Sequence, residues 1–193
     1  MSNDVETRTN WDGNPQIAQL VESTIGLLPD FPEPGVLFRD ITPLLAHGEI
    51  FRELILSLAE KYRGKVDYIA GLESRGFILA APLATELGVG MLTLRKQGKL
   101  PPPVVGVDYD LEYGTARLEV RPDTVPAGAR VLIVDDVLAT GGTAAAAVHL
   151  LEKSEAVVVG LFFLIELVDL DGVAKLGDED IIALVKVHED TEE

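Results

Sequence analysis

The stretch VLIVDDVLATGGT, residues 131–143, decides the fold. Four apolar residues run into Asp135 and Asp136, and a Thr-Gly-Gly-Thr segment begins four residues later. The Ala-rich stretch 143–153 then favours a helix. A buried strand that leads through a Gly-rich loop into a helix is typical of α/β proteins, in which ligands bind at the carboxyl ends of the strands. We therefore expect a binding site at residues 135–143.

The rest of the chain repeats this alternation of apolar strands and amphipathic helices. Continuous apolar runs predict strands at 68–72, 91–95, 157–167 and 181–187. Apolar residues at helical spacing predict helices at 14–28, 50–62 and 75–87. We predict an α/β fold with a mostly parallel central sheet, covered by helices on both faces, in a single domain spanning residues 1–193.

Three segments do not fit the alternation. Residues 31–40, FPEPGVLFRD, contain two prolines that forbid a helix. Residues 96–116 are polar and interrupted by Pro and Gly, which indicates a long excursion or a loose hairpin, and loops of this length tend to be lids. Residues 188–193 form a charged tail that we expect to be frayed. Trp11, in the polar N-terminal segment, supports no prediction.

Composition excludes several classes of function. The net charge of −16 argues against nucleic acid, whose binding proteins need a basic surface, and against an anionic membrane. The sequence contains no run of eighteen apolar residues, so it predicts no membrane span. The polar first ten residues do not resemble an export signal. The absence of cysteine excludes disulfides, thiol catalysis and thiolate metal sites. We expect a cytoplasmic enzyme.

The loop of the opening stretch has the chemistry of a phosphate site. Gly141 and Gly142 lack a Cβ atom, so their N–H groups can approach a ligand closely, and Thr140 and Thr143 add hydroxyl donors. The helix N-terminus adds partial positive charge. No Lys completes a Walker loop, and the one G-x-G, at 88–90, precedes a predicted strand, unlike a dinucleotide fingerprint.

Asp135 and Asp136 cannot face the same phosphate as this loop. Adjacent carboxylates can accept hydrogen bonds from vicinal hydroxyls or lie near Mg²⁺. A sugar with a phosphate on one side and a diol on the other satisfies both halves of the stretch. The alternative is a structural Gly-rich turn with an acidic helix cap.

In full, residues 131–143 resemble the phosphoribosyl pyrophosphate (PRPP) signature of the type I phosphoribosyltransferase family. Further segments resemble its adenine-specific members: 31–45, 68–84, 94–100 and 108–120. The resemblance implies the fold of that family, with a small N-terminal hood over about residues 1–45 and a flexible lid loop over about 96–116. It also implies transfer of ribose 5-phosphate from PRPP to adenine, giving AMP and pyrophosphate, by a homodimer that receives Mg²⁺ largely on PRPP.

The resemblance assigns a role to each motif residue. The 5-phosphate would bind the loop formed by Ala139, Thr140, Gly141, Gly142 and Thr143. The ribose hydroxyls, with Mg²⁺ nearby, would face Asp135 and Asp136. Pyrophosphate would bind Glu73, Ser74 and Arg75, with a cis peptide joining the first two, and the cations Arg95, Lys96 and Lys99. Taken alone, that basic cluster would be a solvated turn.

The resemblance also implies the base site and the proton chemistry. The Phe38 ring would stack on adenine, while backbone groups of Leu37 and Arg39 would read its edge. Arg75 and Glu112 would be catalytic, Glu112 by relaying the proton that adenine must lose. Tyr113 would close over the substrate from the lid.

Two other functions stay open. One is transfer to another base, such as xanthine, hypoxanthine, guanine or orotate. Residues 157–170 lack the Lys expected beside a 6-oxo group, and residues 95–114 lack the His expected in an orotate lid. The other is a PRPP-sensing regulator without catalysis, which would need a basic nucleic-acid surface or an added DNA-binding module.

Overall fold

The computed structural model describes residues 11, 14–110 and 114–188. Its helices are α1 (Pro15–Glu22), α2 (Thr42–Ala46), α3 (Gly48–Tyr62), α4 (Arg75–Leu87) and α5 (Gly142–Lys153). Its strands are β1 (Gly26–Leu28), β2 (Phe38–Asp40), β3 (Tyr68–Leu72), β4 (Gly90–Lys96), β5 (Val105–Asp110), β6 (Thr115–Val120), β7 (Arg130–Leu138), β8 (Val157–Leu167) and β9 (Ile181–Val187). No helix in the described ranges is long and apolar enough to cross a membrane.

A seven-stranded sheet forms the centre of the molecule, in the order β5-β6-β4-β3-β7-β8-β9. The five neighbouring strands β4, β3, β7, β8 and β9 run parallel to one another. At one edge of the sheet, β6 pairs antiparallel with β4, and β5 pairs antiparallel with β6. The predicted mostly parallel sheet is confirmed. A separate two-stranded ribbon pairs β1 with β2 antiparallel, and it belongs to the predicted hood region.

The central strand β7 supplies side chains to both faces of the sheet. Leu132 and Val134 belong to the core on the side of α1, α3 and α4, whereas Val131 and Ile133 belong to the core beneath α5. Alternation along a strand sends successive side chains to opposite faces, so a strand covered on both faces is apolar throughout. This burial fixes the register of β7 and thus the positions of the carboxylates that follow.

The N-terminal helix is shorter than its apolar pattern predicts. The prediction of one helix over 14–28 is wrong, because α1 ends at Glu22 and the chain continues into β1. The hydroxyls of Ser23 and Thr24 donate to the carbonyls of Leu20 and Val21 and so end the helix. Trp11, which gave no prediction, is buried in the core on this side of the sheet.

The segment 96–116 contains a regular hairpin root. Strands β5 and β6 pair from Val105 with Val120 to Asp110 with Thr115. Of the two options that the sequence left open, the hairpin is therefore correct over these paired residues. Lid motion of this segment stays a prediction.

Candidate active site

The loop after β7 and the first turn of α5 enclose a cavity of about 110 Å³. Its lining includes all five residues of the predicted phosphate loop, 139–143, together with Asp135. Gly141 adopts a φ of +76°, a conformation that favours glycine, and α5 begins at the next residue. The first N–H groups of a helix have no partner within it, so those of α5 are available to an anion in this cavity.

The back of the phosphate loop rests on a glycine that the sequence analysis missed. A Cβ atom on Gly172 would lie 2.1 Å from the Ala139 carbonyl oxygen, and one on Gly141 would lie 2.3 Å from the Gly172 oxygen. The two backbone segments are thus in direct contact, and only glycine fits either position. The Asp-Gly pair at 171–172 marks a turn, but no local pattern indicates which distant segment the turn contacts.

The two carboxylates lie within β7, near its carboxyl end. The strand continues to Leu138, and the Asp136 side chain is buried. Asp135 Oδ1 accepts a 2.9 Å hydrogen bond from the Asp136 N–H group. Nε of Arg75 lies 2.8 Å from Asp136 Oδ2. Gly76 permits this approach of α4 to β7, because a Cβ there would meet the Val134 oxygen at 2.6 Å.

Burial sets the electrostatics of the pair. Burial, together with the negative charge of Asp136, raises the pKa of Asp135 to about 8. Burial also raises the pKa of Asp136, while the Arg75 guanidinium acts in the opposite direction. The arrangement holds the Asp136 carboxylate against the Arg75 guanidinium and favours the protonated form of Asp135.

The predicted pyrophosphate residues divide into two groups. The peptide between Glu73 and Ser74 is cis, as the resemblance implied. The Glu73 carboxylate accepts hydrogen bonds from Arg95 Nε at 3.2 Å and from the Lys96 N–H group at 3.0 Å. Arg95 also donates to the Lys99 carbonyl oxygen at 3.2 Å. The structure therefore brings Glu73 together with the basic cluster, whereas the Arg75 side chain lies with Asp136.

Phe38 and Arg75 line a second, more apolar cavity of about 460 Å³. The centre of the Arg75 guanidinium lies 5.4 Å from the centroid of the Phe38 ring. A second aromatic ring, Phe31, forms a T-shaped pair with Phe38, with centroids 5.0 Å apart. Leu37 and Arg39 flank Phe38 in sequence, but their side chains do not belong to the lining of this cavity. Their predicted backbone contacts with a base stay a prediction.

Two predicted site residues, Glu112 and Tyr113, lie outside the described residues. Among the residues described, no group of three or more His, Asp or Glu side chains is placed to hold a metal ion.

The chain resembles known proteins over most of its length. The family model of the phosphoribosyl transferase domain matches residues 40–185. An adenine phosphoribosyltransferase of Thermobifida fusca is 52% identical over 172 residues, which cover 89% of this chain and 98% of that protein. One from Rattus norvegicus is 51% identical, covering 87% and 96% of the two chains.

The chain also resembles solved structures of adenine phosphoribosyltransferases. The adenine phosphoribosyltransferase of Thermoanaerobacter pseudethanolicus superposes with a TM-score of 0.84 at 47% identity, covering 88% of this chain and 99% of that one. The Saccharomyces cerevisiae enzyme, complexed with an imino-altritol bisphosphate and adenine, also gives 0.84, at 41% identity, with coverage of 89% and 100%.

Proposed function

The chain belongs to the phosphoribosyl transferase family, and we propose on that premise that its site transfers the ribose 5-phosphate group of PRPP to adenine, giving AMP and pyrophosphate. This is a pentosyl transfer of purine salvage. The adenine-specific relatives at about half identity, from bacteria to rat, favour adenine over other bases.

One observation supports the substrate most strongly: Asp135 and the loop 139–143 line the same small cavity. The loop offers N–H and hydroxyl donors to a phosphate, while the carboxylate accepts hydrogen bonds from hydroxyl groups. A ribose 5-phosphate carries both groups at opposite sides of one ring. The two halves of the motif therefore bind two parts of one ligand.

In the proposed reaction, the C1′–O bond to pyrophosphate breaks and its electron pair leaves with pyrophosphate. Positive charge develops on the ribose ring while adenine N9 forms the new bond to C1′. Asp135 and Asp136 lie where they can stabilise that charge and hold the hydroxyls. The adenine ring system loses a proton, which we assign to the carboxylate of Glu112.

Arg75 contacts two residues that the proposed substrates would also contact. Its guanidinium neutralises Asp136, which the ribose hydroxyls would contact, and it lies over the Phe38 ring, where adenine would stack. We infer that substrate binding moves Arg75 off both partners. The released cation is then free to bind the pyrophosphate group, with Ser74 beside it and the cluster of Arg95, Lys96 and Lys99.

The donor set fits Mg²⁺ that arrives with the substrate. Mg²⁺ keeps most of its ligands from water and substrate phosphates and takes one or two carboxylates from the protein. Asp135 and Asp136 can supply these. When bound, Mg²⁺ would neutralise negative charge on the leaving pyrophosphate.

We further propose that the chain acts as a single domain, 1–193, in a cytoplasmic homodimer. Large apolar side chains exposed on the hood, among them Leu27 and Val36, support a subunit contact there. A chain without cysteine suits a reducing compartment.

The test is pyrophosphate release from PRPP with adenine, hypoxanthine, guanine or xanthine, each with and without Mg²⁺. We expect pyrophosphate release only in the reaction that contains both adenine and Mg²⁺. Release with another base instead would make the chain a sibling enzyme, and PRPP binding without release for any base would favour the sensor.

A matched pair of variants tests the site. Arg75→Gln should lose most activity, because it removes the cation that would bind the pyrophosphate group. Arg130→Gln should retain it, since Arg130 pairs with Asp67 at the opposite end of the sheet. Equal loss in both variants would contradict the assignment of Arg75.

A further inference from the structure

The hairpin of β5 and β6 is packed along α5, which begins at the phosphate loop. Val105, Val107 and Tyr109 alternate on β5 and pack against the core beneath α5. Near the far end of the helix, Lys153 Nζ donates to the Gly106 carbonyl oxygen at 3.2 Å. The strand is therefore held against the helix along its length, and Tyr109 is the residue of this row nearest to the phosphate loop.

The polar end of Tyr109 reaches a residue of the phosphate cavity. Its hydroxyl lies 3.5 Å from Thr143 Oγ1, and its ring lies 3.9 Å from where a Cβ of Gly142 would be. Thr143 and Gly142 both line the cavity, whereas Tyr109 itself does not. A contact of 3.5 Å is long for two hydroxyls, so the pair is within reach but not tightly bonded.

The contact has a direction once an anion is bound. A phosphate dianion only accepts hydrogen bonds, so the single proton of the Thr143 hydroxyl must point to the phosphate. The Thr143 oxygen is then left as an acceptor, and the Tyr109 O–H group is the donor beside it. We propose that Tyr109 is a positioning residue, which orients the Thr143 hydroxyl toward the 5-phosphate and ties the hairpin to an occupied phosphate loop.

This inference rests on the proposed function but concerns a residue outside the predicted site. Tyr109 acts through Thr143, so removal of its hydroxyl should weaken the binding of ligands that carry a 5-phosphate and leave the binding of adenine unchanged. One hydrogen bond of ordinary strength corresponds to a loss of about three- to tenfold in affinity.

The experiment measures the affinity of Tyr109→Phe for ribose 5-phosphate by calorimetry, and its KM for PRPP and for adenine. This variant keeps the ring that packs against the core beneath α5 and removes only the hydroxyl. We expect weaker ribose 5-phosphate binding and a higher KM for PRPP, by the same factor, with an unchanged KM for adenine. Tyr68→Phe is the matched control, because Tyr68 begins β3 at the end of the sheet away from the site, and it should leave all three values unchanged.

A double-mutant cycle with Thr143→Val distinguishes positioning from packing. In the Thr143→Val background, Tyr109→Phe should cause no further loss, since the hydroxyl that it orients is gone. An undiminished effect in that background, an unchanged affinity for ribose 5-phosphate, or an equal loss for adenine would each overturn the proposal. Calorimetry needs no turnover, so a wild-type chain that releases no pyrophosphate would refute the proposed function and leave this comparison intact.

Discussion

Replacing Gly172 by Ala should impair PRPP use although Gly172 lies behind the phosphate loop. The new Cβ would lie 2.1 Å from the Ala139 carbonyl oxygen, about 1.3 Å inside the 3.4 Å of an ordinary contact. The atom that the new Cβ meets is a backbone carbonyl oxygen, so the segments 139–141 and 171–172 must separate by about that distance. A misplacement of about 1 Å in a substrate-positioning group can cost about 10²-fold in rate. We therefore expect kcat/KM for PRPP to fall by about 100-fold and the KM for adenine to stay unchanged.

The assay is steady-state kinetics with each substrate varied in turn, well below the unfolding midpoint of the variant. Overpacking at Gly172 should also lower the free energy of unfolding, by about 1–3 kcal/mol, which thermal unfolding measures separately. Gly48→Ala is the control, because Gly48 begins α3 and a Cβ there meets no atom within 4 Å. A KM and kcat for PRPP within twofold of wild type in Gly172→Ala would refute the reasoning.

Three further changes test the site from other sides. Asp135→Asn should stabilise the protein, and the gain should grow as pH rises. Folding raises the pKa of Asp135 from 3.8 to about 8, so between these pH values the folded state binds more protons than the unfolded state. The free energy of unfolding of the wild type therefore falls as pH rises through this range. Thermal unfolding of both proteins from pH 5 to pH 9 measures this, and a constant difference would contradict the raised pKa. Glu112→Ala should lower kcat by about 10²–10⁴-fold with little change in PRPP affinity, and unchanged turnover would remove its catalytic role. Phe38→Ala should raise the KM for adenine by about five- to 150-fold, the loss of one stacked base, and an unchanged value would place the base elsewhere.

Local sequence patterns predicted most of the fold correctly. The strands 68–72, 157–167 and 181–187 and the helix 75–87 have the predicted bounds, because each is an apolar run or stripe interrupted by a change in pattern. The helix over 14–28 failed since its apolar spacing continues past Glu22, while hydroxyl groups at 23 and 24 end the helix. Periodicity alone does not register that competition.

In the candidate site, too, some features could be predicted from local sequence and others could not. The cavity at 135–143 was predictable because carboxylates, glycines and helix start are adjacent in sequence. The ion pair of Arg75 with Asp136 joins residues 61 positions apart, and the contact of Gly172 with the phosphate loop depends on how a later turn folds back. Such pairings follow from the topology of the sheet, in which strand order brings distant loops to one edge.

A crystal structure of the chain with AMP tests the central claim, the division of residues 131–143 between phosphate and sugar, most directly. We predict the phosphate within hydrogen-bonding distance of the N–H groups of 140–143, the ribose hydroxyls on Asp135 and Asp136, and Arg75 displaced from Asp136. A phosphate bound elsewhere, or ribose hydroxyls away from both carboxylates with the Arg75–Asp136 ion pair intact, would contradict the account.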